Sequence, residues 1–69
     1  MDYIQVIENR RNKIGMTIRA LARKAEMDDD ILGKTLHRKR KMTASEFIAV
    51  STILGLSLED FPTEFERVV

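Results

Sequence analysis

The chain has 69 residues and a mass of 8.0 kDa, which predicts one small domain. It contains no cysteine and a single histidine, so we expect no disulfide, no metal site and no cofactor. Hydrophobic residues make up 43% and charged residues 33%, a balance typical of a folded domain. The sequence lacks an apolar run of about 20 residues and the pattern of a signal peptide, so we expect a cytoplasmic protein without a membrane partner. So few potential catalytic groups argue against an enzyme.

Charge is distributed unevenly along the chain, although the net charge is only +1. Residues 1–41 carry eleven Lys and Arg against six Asp and Glu, a net charge of +5. Residues 42–69 carry one Arg against five acids, a net charge of −4. This asymmetry suggests that the first part faces a polyanion, although small helical proteins also carry uneven charge on solvated faces.

Capping residues and apolar spacing predict two helices in the first part of the chain. Asp2 is expected to cap a first helix, which Gly15 ends in a left-handed conformation. The apolar residues of that helix at helical spacing are Tyr3, Val6, Ile7 and Ile14. Thr17 is expected to cap a short second helix, whose apolar residues are Ile18, Leu21, Ala22 and Ala25.

Three further signals complete the predicted elements. Asp28 is expected to cap a third helix, whose buried side is formed by Ile31, Leu32, Thr35 and Leu36. A capping box at residues 43–46 predicts a fourth helix that carries Phe47, Ile48, Val50, Ser51 and Leu54 and ends at Gly55. Ser57 then caps a last turn over residues 58–61, which Pro62 stops. No segment alternates like a strand, so the sequence predicts an all-α bundle of four or five short helices.

The connection between the second and third predicted helices is very short. Only Glu26 and Met27 separate Ala25 from the cap at Asp28. So short a connection cannot lay the two helices antiparallel, and small Ala22 and Ala25 allow the helices to approach closely. The geometry predicted over residues 17–37 is therefore a helix-turn-helix.

Residues 15–28, Gly-Met-Thr-Ile-Arg-Ala-Leu-Ala-Arg-Lys-Ala-Glu-Met-Asp, resemble the lambda-repressor-like helix-turn-helix family, the phage repressor and Cro group often labelled XRE. The usual run of that family, Gly-Leu-Ser-Gln-x-x-Leu-Ala-x-x-Leu-Gly-Val-Ser, aligns here without a gap. The register continues through residues 54–58, which are similar to the fourth and fifth helices of that family. The resemblance covers roughly residues 6–61. It implies a compact four- to five-helix DNA-binding domain over 1–61, followed by a short tail at 62–69.

Three positions depart from the pattern of that family. Ile18 replaces a glutamine that often bonds phosphate. Glu26 replaces the common turn glycine, at a cost of about 1 kcal/mol or more if the turn is left-handed. Arg38 stands where a glycine often follows the third helix. The first change weakens the case for DNA binding slightly, whereas the third adds charge to a basic segment.

The resemblance implies that the third helix enters the major groove of DNA. With Leu32 and Leu36 facing inward, the candidates for reading bases are Asp29, Asp30, Gly33, Lys34 and His37. Gly33 either allows the helix to approach a base closely or is simply tolerated in a well-packed helix. An aspartate can accept a hydrogen bond from cytosine N4. Alternatively, the acids at 28–30 only stabilise the helix N-terminus, or they repel DNA and bind a protein.

A basic run over residues 34–41 leaves the third helix and enters the following loop, where the resembling family contacts the sugar-phosphate backbone. The candidates for backbone contact are Thr17, Arg19, Asp28, Arg38, Lys39, Arg40, Lys41 and Thr43. If four lysines and arginines each neutralise a phosphate, the log–log salt slope is about −3.6 per monomer. The run can also be read as an ordinary solvated face.

These features predict a sequence-specific DNA-binding transcriptional regulator of bacterial, phage or mobile-element type, acting as a repressor on double-stranded DNA. Phe65, Val68 and Val69 in the tail either fold back on the domain or form a homodimer through the C-terminal region. The alternative is a protein-interaction module on the same fold, an accessory factor or antagonist of another regulator that uses the acidic third helix.

Overall fold

A computed structural model of the protein describes residues 2–61, which form four α-helices and one 3-10 turn. The helices are α1 (Tyr3–Ile14), α2 (Ile18–Lys24), α3 (Asp29–Leu36) and α4 (Ala44–Leu54), and the 3-10 turn is Leu58–Asp60. Residues 2–61 contain no strand, in agreement with the all-α prediction. The tail at 62–69, with its predicted stop at Pro62 and its proposed dimer contacts, lies outside the described residues.

The helices begin at the predicted caps. The carboxylate of Asp2 accepts the Gln5 amide at 2.9 Å, and the hydroxyl of Thr17 accepts the Ala20 amide at 3.0 Å. Asp28 caps α3 by accepting the Asp30 amide at 2.8 Å. At the start of α4 the capping box is complete, because Thr43 and Glu46 each accept the backbone amide of the other. Each cap satisfies an amide that has no partner inside its helix.

All four helices also end in the same way. A residue with left-handed backbone follows each helix, and its amide bonds the carbonyl three residues back while the next amide bonds the carbonyl five residues back. Gly15 and Gly55 supply this conformation after α1 and α4, as predicted. After α2 and α3 it is adopted by Glu26, with φ 56°, and Arg38, with φ 63°. These are two of the three positions that depart from the pattern of the resembling family.

The core lies where α2 packs against α3 and α4, and α1 packs against α4. Its buried members are Ile4, Ile7, Leu21, Ala22, Leu32, Leu36, Val50 and Leu54. Ile14 and Ile48 are 50% and 64% exposed, and Ile31, which was predicted to lie on the buried side of α3, is exposed as well, at 36%. Ile4 is buried, and Tyr3 is not, because residue 4 shares the inward face of α1 with Ile7. The Tyr3 ring packs edge-on against the Phe47 ring, with 5.8 Å between the ring centroids. None of the helices within 2–61 has the length and apolarity needed to cross a membrane.

Candidate nucleic-acid interface

The predicted base readers lie on the part of α3 that the core does not cover, except for His37, which follows the helix directly. Asp29, Asp30, Lys34 and His37 are exposed, and Gly33 is half-buried. A Cβ atom at Gly33 would meet nothing within 4 Å, so packing within residues 2–61 does not require a glycine there. The exposed surface of α3 therefore offers carboxylates near its N-terminus and an ammonium group about one turn later.

The acidic end of α3 is held by its own cap. Asp28 uses one carboxylate oxygen to accept the Asp30 amide, and carboxylate oxygens of residues 28, 29 and 30 lie within 4.8 Å of one another. The side chains of Asp29 and Asp30 make no hydrogen bond or ion pair with any other described residue. Both can therefore accept a hydrogen bond from an incoming donor, whereas Asp28, also predicted to face the DNA backbone, is already used as a cap and repels phosphate.

His37 follows α3 directly, and its side chain folds back on the helix. The Nδ1–H group donates to the carbonyl oxygen of Gly33 at 2.7 Å. Because a carbonyl can only accept, this contact fixes the imidazole orientation and leaves Nε2 for an external partner. His37 can thus form one external hydrogen bond through Nε2 at the junction between α3 and the following loop.

That loop carries four consecutive cations, Arg38, Lys39, Arg40 and Lys41, which we call the basic loop. Its start is anchored to α3, since the Lys39 amide donates to the Lys34 carbonyl at 2.8 Å. Lys34, Lys39 and Lys41 are exposed, and within residues 2–61 none of the three forms an ion pair. Three ammonium groups without an ion-pair partner in the described part of the chain therefore lie at or just beyond the C-terminal end of α3.

The two arginines of the basic loop are engaged within the protein. Arg38 forms a two-bond contact with Asp2, from Nη2 to Oδ1 at 2.8 Å and from Nε to Oδ2 at 3.2 Å. The Arg38 hydrogen bonds, together with the Gln5 amide, hold the pKa of the Asp2 carboxyl below its usual range. In turn, the hydrogen bonds to Asp2 and the negative charge of that carboxylate raise the pKa of the Arg38 guanidinium.

Arg40 is tied to both helices that flank the loop. Its Nη1 donates to the hydroxyl of Thr35 at 2.6 Å and to a carboxylate oxygen of Glu46 at 3.0 Å. Thr35 is fully buried and donates in turn to the Ile31 carbonyl at 2.8 Å. The sequence predicted Arg40 only as a phosphate contact, whereas the structure gives it a structural role between α3 and α4.

A shallow depression of about 320 Å³ opens beside the basic loop. It lies between the loop and the N-terminus of α1, and its lining residues are Asp2, Tyr3, Ile4, Thr35, Arg38, Lys39, Arg40 and Lys41. Asp2 is the one acid among these lining residues. Sequence reasoning identified Asp2 only as a helix cap, because nothing local links it to a residue 36 positions away.

The remaining candidates for backbone contact lie at helix starts or on exposed surface. Thr17 and Thr43 each use the hydroxyl oxygen to accept a cap hydrogen bond, which leaves the hydroxyl proton free to be donated to a phosphate. Arg19 is exposed near the start of α2 and has no ion-pair partner within residues 2–61.

Comparison of the chain with protein-family models, with curated proteins and with solved structures finds no match in any of the three. The resemblance to lambda-repressor-like proteins therefore stays a prediction. A fold alone does not define a function, so the function must be inferred from the exposed side chains of α3 and the basic loop.

Proposed function

We propose that the protein is a sequence-specific DNA-binding transcriptional regulator on a lambda-repressor-like helix-turn-helix, acting as a repressor of bacterial, phage or mobile-element type. In this proposal α2 and α3 form the helix-turn-helix, with α3 in the major groove. The observation that carries it is the combination of exposed polar groups on α3 with three exposed lysines at or just beyond the end of the same helix. These lysines, Lys34, Lys39 and Lys41, form no ion pair within residues 2–61.

Base reading is assigned to the first turns of α3. Cytosine presents only a donor, N4–H, in the major groove, whereas adenine places the acceptor N7 beside its N6 donor. A carboxylate such as Asp29 or Asp30 therefore favours cytosine. Lys34, one turn further along, donates to guanine O6 or N7. His37 has Nε2 available at the end of the helix.

Backbone contact is assigned to the basic loop and to the helix starts. Lys39 and Lys41 are exposed ammonium groups that can each neutralise one phosphate. The hydroxyls of Thr17 and Thr43 can each donate one hydrogen bond, and Arg19 adds charge near the start of α2. Phosphate contacts of this kind orient a protein on the duplex, and the contacts from α3 supply sequence preference.

The simplest mechanism is occupancy of a promoter. A single domain of this size makes few base contacts, and two copies on a two-fold operator double them. We therefore propose a homodimer on DNA, formed through the C-terminal region.

The decisive experiment is selection of duplex DNA from a random-sequence pool with the full chain, at low and at near-physiological salt. Enrichment of a short motif, palindromic if the protein is a dimer, is the expected result. Salt-sensitive binding without enrichment would reduce the protein to a non-specific polyanion binder, and absence of binding at low salt would refute the proposal.

A matched pair of variants then tests the role of the basic loop. Lys39→Gln should weaken binding about fivefold at near-physiological salt and make the salt slope about 1 unit shallower, because one phosphate contact is lost. Lys13→Gln removes the same charge from an exposed position in the last turn of α1 and should leave both quantities almost unchanged. Equal effects of the two variants would mean that only net charge matters.

A second candidate function rests on the three exposed carboxylates at the N-terminus of α3, which oppose a phosphate backbone. In that case the fold is a protein-interaction module whose acidic helix binds a basic partner. Asp29→Asn distinguishes the two functions. In a DNA reader it shifts one motif position from cytosine towards adenine, since asparagine pairs with adenine N6 and N7. In a protein-binding module it weakens the partner complex and affects no base preference.

A further inference from the structure

Arg38 and Asp2, which contact each other, both line the depression. Unlike Arg40, Arg38 does not join α3 to α4. Both side chains are 52% exposed, so a solute can reach the pair. Both ends are also fixed in place. Asp2 is held as the cap of α1, and the backbone of Arg38 is held by the bonds that end α3.

A carboxylate bound by two guanidinium hydrogen bonds presents the same pair of oxygen acceptors as one edge of a phosphate group. The guanidinium of Arg38 is therefore already oriented for a two-oxygen anion. Lys39 and Lys41 line the same depression and have no ion-pair partner within residues 2–61. A phosphate that entered the depression would meet these three cations beside Arg40, which already bonds Thr35 and Glu46, and Asp2 is the one carboxylate among the lining residues.

We propose that this depression is a site for a backbone phosphate of DNA and that the carboxylate of Asp2 occupies Arg38 until the phosphate displaces it. The inference rests on the proposed function and adds that the Asp2 carboxylate competes with the DNA phosphate for Arg38. Asp2 lowers the affinity of the protein for any duplex, because binding must first break the Asp2–Arg38 pair and then hold a free carboxylate beside a phosphate. It acts equally on all sequences, since it opposes a backbone contact rather than a base contact.

Asp2→Ser tests this competition without removing the helix cap, because serine is as good an N-cap as aspartate. Glu59→Gln is the control, since it removes one negative charge from an exposed residue that makes no ion pair within 2–61. A third variant, Arg38→Gln, and the double variant Asp2→Ser/Arg38→Gln show whether the effect of Asp2 acts through Arg38. All are measured on one selected duplex and one random duplex over a range of salt.

We expect Asp2→Ser to bind both duplexes about threefold to tenfold more tightly than the unaltered chain, with a salt slope steeper by up to about 0.9. Glu59→Gln should gain much less, and the gain from Asp2→Ser should disappear in the Arg38→Gln background. The proposal is overturned if Asp2→Ser binds no better than Glu59→Gln, if its affinity falls, or if its gain persists without Arg38.

These failures can be told apart from failure of the proposed function. If the unaltered chain binds DNA and Asp2→Ser gives no gain, only the competition is refuted. If neither the unaltered chain nor any variant binds duplex DNA at low salt, the proposed function fails and the phosphate site fails with it. If only Asp2→Ser binds, the competition by Asp2 is supported, whereas the proposed function of the unaltered chain is refuted.

Discussion

Glu26 has a backbone conformation that is unfavourable for a residue with a side chain. Its φ of 56° lies in the left-handed region, which costs an L-residue about 1–2 kcal/mol relative to the right-handed one. The conformation is retained because it allows the Met27 amide to donate to the Ala22 carbonyl at 2.8 Å and so closes the end of α2. The glutamate side chain itself is exposed and makes no hydrogen bond or ion pair within the described part of the chain.

Glu26→Gly should therefore stabilise the protein by about 1 kcal/mol, because glycine adopts the left-handed conformation without strain. The measurement is urea unfolding at pH 7, followed by circular dichroism. Lys24→Gly, in the last turn of α2, is the control and should destabilise by about 1 kcal/mol, since that residue is right-handed helix. Loss of stability in Glu26→Gly would show that the glutamate has a favourable role that offsets its strain.

At the scale of elements, α3 and α4 are joined by one small network of side chains. The buried hydroxyl of Thr35 donates to Ile31 and accepts from Arg40, and Arg40 also pairs with Glu46 at the start of α4. The capping contact from Glu46 to the Thr43 amide, at 2.9 Å, completes the connection. Through Arg40 the network holds the basic loop against Thr35 of α3 and Glu46 of α4. Loss of the network should therefore affect both the stability of the protein and the position of the exposed lysines.

Thr35→Val removes the hydroxyl while keeping the shape of the side chain. We expect a loss of about 1–2 kcal/mol, because a hydrogen bond to a charged group disappears from a buried position. Thr52→Val is a matched control, since the hydroxyl of Thr52 also donates to the carbonyl four residues earlier but is exposed and contacts no arginine. Chemical denaturation of the two variants side by side measures the difference, and equal losses would mean that the Arg40 contact contributes nothing.

The same elements explain how much could be predicted from the sequence. Helix starts and ends depend on groups within five residues of one another, so Asp2, Thr43 and Gly55 could be identified from local pattern alone. The left-handed turn at Glu26 could be predicted because the family that this segment resembles often has glycine there, whereas the positive φ at Arg38 was not predicted, although glycine is common at that position too.

The contacts of the candidate site could not be predicted in that way. Asp2 meets Arg38 across 36 positions, and Arg40 reaches Thr35 and Glu46 from a loop whose path no periodicity specifies. Four adjacent cations look equivalent in the sequence, and only the fold separates the two arginines that form ion pairs from the two lysines of the basic loop that form none within residues 2–61. A buried threonine among the apolar positions of α3 was the one available signal, since a buried hydroxyl needs a partner.

For the molecule as a whole, three carboxyl groups within residues 2–61 connect different elements of the fold and have lowered pKa values. Hydrogen bonds from Arg38 and the Gln5 amide lower the pKa of Asp2, which joins the start of α1 to the basic loop. Hydrogen bonds from the Thr43 amide and from Arg40 lower the pKa of Glu46.

The third such group is Asp60, in the 3-10 turn. The Ser57 amide donates to its carboxylate at 2.8 Å, and this bond, with the charge of Arg10 on α1, lowers the pKa of Asp60. Arg10 also donates to the Leu54 carbonyl at the end of α4, so this contact links α1, α4 and the 3-10 turn.

Because these three pKa values are lower in the folded protein than in the unfolded chain, the unfolded chain binds more protons in acid. Their contribution to the free energy of unfolding is complete above about pH 5 and is lost as the pH falls through the lowered pKa values. We therefore expect stability to be constant from about pH 5 to 7 and to decrease steadily below that range, as measured by urea unfolding at each pH.

Glu46→Gln retains an acceptor for the Thr43 amide but has no charge for Arg40, so it should lower the free energy of unfolding by about 1 kcal/mol at pH 7 and by much less at pH 3. Glu59→Gln, on an exposed acid without such contacts among residues 2–61, should match the unaltered chain at both pH values. A Glu46→Gln deficit that stays the same at pH 3 would show that packing, and not the charge of Glu46, is responsible.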